Sequence, residues 1–249
     1  MELLSRDFLG TVGFRWLHVL AGIAWIGLLY YFNFVQVPAF AAYGDEGRAR
    51  NIAIDKVARR ALWWFRWAAL STLVTGLLIT GLIEDYYQDF MNRGAFTGHD
   101  AAILVGMVYG TIMAANVWMV IWPNQRVVLA NAVNVLNGAE ADPAAAAAGR
   151  RALLASRQNA VFSVSMLFFM VGAAHFYGSA FGDISSGTAW TWVIISLVIA
   201  AVLELNCLGK LGGTAATNKL LWPYEHHKNA IISAFVLWAV LWILSEIMF

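Results

Sequence analysis

Six runs of about twenty apolar residues, each nearly free of charge, limit what this chain can fold into more than any other feature. They cover residues 14–37, 62–83, 101–122, 160–177, 190–208 and 230–249. A helix of that length crosses the roughly 30 Å hydrocarbon core of a bilayer while pairing every backbone N–H and C=O within itself. A water-soluble core could not absorb so much apolar surface: 61% of the 249 residues are hydrophobic and 12% are charged, about half the charged share of a globular domain. The expected fold is therefore all-α, one polytopic membrane domain over residues 1–249 with six spanning helices.

Charge orients the bundle. The segment after the first run carries Arg48, Arg50, Lys56, Arg59 and Arg60; the third interval carries Arg126, Arg150, Arg151 and Arg157; the fifth carries Lys210, Lys219 and Lys228. The alternate intervals hold Arg6, Arg15 and Arg93 together with Glu84, Asp85, Asp89 and Asp100. Lys and Arg concentrate in cytoplasmic loops, so both termini are expected outside, in the periplasm if the bilayer is a bacterial inner membrane. Glu2, Arg6 and Asp7 precede an apolar run too long for a signal-peptide core, which predicts that the first helix is retained. A net charge of +1 gives no basis for nucleic-acid binding. The lone Cys207 excludes an intramolecular disulfide, and the absence of CxxCH excludes a covalent c-type haem.

Two basic-side intervals have helical character of their own. Residues 43–60 keep an apolar beat at Ile52, Ile54 and Val57, the pattern of an interfacial amphipathic helix. Residues 124–159 read as two helical extensions around a turn near Asn137 and Gly138, the second opened by Pro143 and propagated by alanines. Pro38, Pro123 and Pro223 mark helix ends or kinks. The LGKLGG stretch at 208–213 lacks phosphate-loop spacing. Most of the twelve tryptophans suit an interfacial belt, Trp25 and Trp118 lying deeper.

The five histidines form two groups. His18, His99 and His175 fall near the outer ends of three helices, and His226 with His227 stands at the inner start of the sixth. A single intramembrane His needs only a hydrogen-bond partner, but three at one depth suit axial ligation of a non-covalent haem b. Small residues beside them, Ala21, Gly22 and Ala24 and then Gly172, Ala173 and Ala174, leave room for a macrocycle, although they equally permit bare helix packing. Zinc is a poorer match, since no Cys is near and the outer carboxylates belong to loops. Asp100 could orient the His99 imidazole or receive a released proton.

Towards the inner side the spans carry Asn33, Gln36, Arg66, Asn116, Glu204 and Asn206. Intramembrane charges require partners, so Arg66 and Glu204 could pair with each other or snorkel separately to the interface. Arg66, Asn116 and Glu204 are the candidate catalytic set of an inner pocket able to clamp a planar, hydrogen-bonding substrate. Glu204 or the inner His pair is the candidate proton acceptor.

RWLHVLAGIAWIG at 15–27, ALWWFRWAALSTLVTGLL at 61–78 and GTIMAANVWMVIWPNQRVV at 110–128 resemble the membrane domain of the bacterial membrane-bound urate oxidase (urate hydroxylase) family. The resemblance implies a haem-linked membrane domain oxidising a purine such as urate, with His18, His99, His175, His226 and His227 as candidate haem ligands. It also implies that Asn116, Trp118, Trp122, Asn124, Gln125 and Arg126 shape the inner pocket. Full-length members carry a C-terminal cytochrome c that these 249 residues do not contain, so the expected acceptor is a separate cytochrome c or a respiratory complex. Two other classes fit the residues: a haem-bearing electron-transfer or accessory subunit without its own substrate, and a cofactor-free structural subunit or small transporter.

Overall fold

The computed structural model describes residue 5 and residues 8–82 and 95–249. The expected outer charges Glu2, Arg6, Asp7, Glu84, Asp85, Asp89 and Arg93, and residue 83 of the second run, lie outside the described residues. Among the described residues six helices are long and apolar enough to cross a membrane: α1 Leu9–Ala42, α2 Gly47–Gly81, α3 Gly98–Leu136, α4 Ala144–Ala180, α5 Ser186–Cys207 and α6 His227–Met248. A two-stranded antiparallel ribbon, β1 Ala95–Thr97 with β2 Asp183–Ser185, ties the start of α3 to the start of α5. Helices that run alternately up and down put the start of α1 and the end of α6 on one side of the bundle. That side is called here the terminal end, and the opposite side, which carries the twelve clustered Lys and Arg, the basic end.

α1 to α4 have 34, 35, 39 and 37 residues, about 50–60 Å at 1.5 Å per residue, against a hydrocarbon core of about 30 Å. α5 and α6 have 22 residues each, enough to cross once. The surplus in α2, α3 and α4 lies mainly at the basic end, and in α1 it is divided between the two ends. The amphipathic segment 43–60 is continuous with the spanning part of α2 from residue 47 and packs on α3. The two extensions of α3 and α4 meet at a turn that includes Asn137 and Gly138, where Gly138 has φ +87°.

The prolines explain how α1 and α3 outrun their apolar runs. Proline lacks an N–H, and its ring clashes with the carbonyl four residues earlier. In both helices a π turn precedes the proline: Tyr31–Gln36 before Pro38, and Asn116–Ile121 before Pro123. Widening the turn accommodates the proline without ending the helix. Sequence patterning stopped these spans at residues 37 and 122, because periodicity alone does not signal a π turn.

α4 is the central helix, packed by α1, α3, α5 and α6. Small residues make this possible: a Cβ added to Gly106 of α3 would stand 3.2 Å from the Met170 backbone nitrogen of α4, the close approach that glycine permits between membrane helices. Around this core, Ile194, Val198, Ile232, Phe235 and Ile247 point outward, as a lipid-facing surface requires. The LGKLGG stretch is a reversing turn. Gly209 holds φ +76°, and a Cβ there would meet Thr214 at 2.6 Å, so steric necessity accounts for that glycine.

Candidate functional site

At the terminal end, His18 of α1 turns towards α2. Its Nδ1 donates to the Thr72 carbonyl at 2.9 Å and lies 3.2 Å from Thr75 Oγ1. Because a carbonyl only accepts, the Nδ1 must carry the proton, which leaves the lone pair on Nε2, the tautomer able to coordinate a metal. The ring rests on Gly76, where an added Cβ would be 3.1 Å from His18 Cε1. Gly76→Ala should therefore displace the imidazole, seen as a changed His18 NMR shift, with a stability loss of about 1 kcal/mol in reversible detergent unfolding.

His99 opens α3 beside Asp100, with Nδ1 3.2 Å from Asp100 Oδ1. The other Asp100 oxygen accepts from the Thr97 backbone N–H at 3.0 Å and from its hydroxyl at 2.7 Å, while Thr97 Oγ1 accepts from Asp100 N–H. This is a capping box, so Asp100 is a buried helix-start residue that also orients His99. Thr97 and Asp100 spell that motif, a signal the sequence reading passed over. His99 also stands against the last turn of α4: a Cβ on Gly178 would be 3.4 Å from His99 Cβ. His175, on the α4 π turn Ala173–Tyr177, is exposed. Among the described residues no three His, Cys, Asp or Glu side chains gather into a metal-holding group; a haem iron asks for only one or two axial imidazoles.

The inner polar residues divide into two sets. In the first, between α3, α4 and α5, Asn116 Nδ2 donates to Glu204 Oε2 at 3.0 Å and to Asn159 Oδ1 at 3.0 Å. Asn159 Nδ2 continues to the Met113 carbonyl at 2.9 Å. Two of the three proposed catalytic residues are thus joined directly. Arg66 is elsewhere: its guanidinium carbon lies 3.8 Å from the centroid of the Trp122 ring, a cation–π contact, and no ion pair links it to Glu204 among the described residues.

Arg157 differs from its expected place in a basic loop. It is 4% exposed and donates to the carbonyls of Tyr224 and Glu225 at 2.6 and 2.7 Å. Two turns earlier Arg150 grips Glu225 through both carboxylate oxygens, at 3.0 and 2.5 Å, and the Thr214 carbonyl at 3.0 Å. The two arginines hold the 3₁₀ turn Lys219–Leu221 and the helical turn Trp222–Glu225 against α4. Asn206 helps by donating to the Leu220 carbonyl at 2.7 Å. Burial pushes the Tyr224 phenol well above its ordinary pKa, so it remains a donor, to the Leu203 carbonyl at 3.2 Å. His226 caps α6 by accepting from Lys228 N–H at 3.2 Å, and its ring centroid lies 4.1 Å from that of His227. Gln158, 0% exposed, has neither amide atom hydrogen-bonded in the structure. The triplet Arg157, Gln158 and Asn159 lies just outside the apolar run begun at residue 160, which is why hydropathy did not mark it as buried.

The second set lines a cavity of about 190 Å³ enclosed by α1, α2, α3 and α4. Its walls include Phe32, Phe40 and Phe65, and its polar atoms come from Asn33, Gln36, Gln125 and Ser156. Asn33 Nδ2 donates to the Leu29 carbonyl at 2.9 Å and to Ser156 Oγ at 2.8 Å. Asn33 Oδ1 and Gln36 Oε1 are buried without a protein partner. A second hollow, about 330 Å³, is lined only by residues of α1 between Phe8 and Leu17 and presents no polar surface; it is a concavity on one helix.

The arrangement defines a polytopic α-helical membrane domain whose basic end projects beyond the bilayer and encloses buried amides, a carboxyl group and arginines. Comparison with known proteins specifies it further: the chain belongs to the urate oxidase N-terminal family, whose model matches residues 86–238. The match takes in α3, α4, α5 and the first half of α6, with Asn116, Asn159, Glu204 and four of the five histidines; His18, Asn33, Gln36 and Arg66 precede it. No curated protein and no solved structure matches the chain.

Proposed function

We propose that this chain is a membrane redox domain of the urate oxidase kind, binding non-covalent haem b at the terminal end and a purine-class substrate at the basic end. Family membership carries the proposal, because it covers the helices that supply the buried Asn116, Asn159 and Glu204 network. His18 is the first candidate axial ligand, its Nδ1 committed to Thr72, with His99 and His175 at the same end; the His226 and His227 pair, at the opposite end, is the second candidate set. A haem bound there supplies one-electron acceptance inside the bilayer. Hydroxylation of urate with water as the oxygen source gives a hydroxylated ring, two electrons that pass to the acceptor and two protons, so the chain must also take up protons. Glu204, whose carboxyl accepts from Asn116 with no cation paired to it among the described residues, is the candidate for that role.

The distribution of Lys and Arg supports a basic end in the cytoplasm and termini in the periplasm of a bacterial inner membrane. Substrate then enters from the cytoplasm, and electrons leave to a separate cytochrome c or respiratory complex on the far side. Purified protein is expected to show a Soret band, a reduced-minus-oxidised haem spectrum that develops on adding urate, and loss of haem in His18→Ala. The same spectrum without urate dependence would indicate an electron-transfer or accessory subunit, and colourless protein would sink the redox reading altogether.

A further inference from the structure

We infer that the cavity between α1, α2, α3 and α4, and not the Asn116–Glu204 network, is where a planar N–H-bearing heterocycle binds; this rests on the purine-oxidising reading above. The argument begins with Asn33, which is 1% exposed. Its amide cannot be flipped, because the atom 2.9 Å from the Leu29 carbonyl has to be the nitrogen. Oδ1 is therefore fixed as the buried atom left without a partner, on a residue that lines the cavity. Gln36, one turn further along the same π segment, adds a second unpartnered oxygen, Oε1. Buried acceptors without donors are costly and rare, and here both belong to residues lining one cavity.

A ligand that satisfies them must bring donors, and purine diones and triones carry N–H groups on a rigid ring edge. The remaining features match the same chemistry. Phe32, Phe40 and Phe65 offer flat apolar surface for a ring face. Ser156 Oγ accepts from Asn33, so its own proton is available to a ligand carbonyl. The volume, about 190 Å³, is below the roughly 300–1,000 Å³ of drug-sized sites and suits a small bicyclic molecule. The Asn116–Glu204 network offers less, since both Asn116 bonds and the Asn159 bond are already made within the protein.

The test is equilibrium binding of urate to the purified full chain in nanodiscs, independent of any haem signal. Gln36→Leu should weaken urate by roughly ten- to hundredfold, the effect of deleting one acceptor from a buried pair, and Ala152→Phe, which grows into the cavity, should abolish binding. The ligand provides a control that needs no variant to fold: 1,3-dimethylurate should bind wild type far more weakly than urate, and that penalty should shrink in Gln36→Leu if the lost N–H is the one Gln36 accepts. Urate binding that is equal in wild type, Gln36→Leu and Ala152→Phe would overturn the cavity as the site while leaving the purine reading intact. No urate binding to wild type would overturn both.

Discussion

Arg157→Met should destabilise the domain by about 3–5 kcal/mol in reversible detergent unfolding, the range found when one partner of a buried charged network is removed. Methionine fills much of the same space, so the loss comes from hydrogen bonding more than from packing. The guanidinium donates to two consecutive carbonyls, Tyr224 and Glu225, at the end of a helical turn whose last carbonyls have no intrahelical partner. Once they are stripped of that donor, the segment that closes the basic end between α5 and α6 loses its anchor in the core. Arg150→Met is the comparison. Its side chain and that of Glu225 are 23% and 31% exposed, and water can replace part of what is lost, so about 1 kcal/mol is expected. Equal stability of the two variants would remove Arg157 as the anchor.

The second large effect is steric. Gly98→Ala places a Cβ 2.6 Å from the Tyr177 carbonyl oxygen and 2.9 Å from Phe181 Cβ. The carbonyl is backbone, so no rotamer change relieves the clash and the start of α3 must separate from the last turn of α4. A loss of about 2–3 kcal/mol follows, at the upper end of ordinary overpacking, together with a shift of His99, the next residue. Gly27→Ala is the control, because nothing lies within 4 Å of its added Cβ; that variant should be neutral or slightly more stable, since alanine favours helix. If both variants unfold alike, the close approach of α3 and α4 at Gly98 is wrong.

The legible part of the fold is the part set by composition along the chain. Twenty-residue apolar runs announce six spans because lipid tolerates no unpaired backbone, and the alanine-rich stretch after Pro143 announces a helical extension. The polar site was legible only in fragments. Asn116 and Glu204 were singled out separately, and their contact joins helices 88 positions apart in sequence. Arg66 sits in the same chemical company by composition, yet its guanidinium lies over the face of Trp122 on α3 and not beside Glu204. Asn33 and Gln36 could be named as polar residues of the first span, but that both line one cavity, each with a buried oxygen left unpartnered, is a property of the packed helices alone.

The sequence by itself determined that this chain is a six-span helical membrane domain of the urate oxidase family with a basic end, because hydropathy, helix length and charge bias are local quantities. The tertiary structure alone decided which polar side chains meet. Helices with apolar faces all round carry no signal of which face turns inward, and that rotation is set by close packing at Gly98 and Gly106 and by the π turns in α1 and α3.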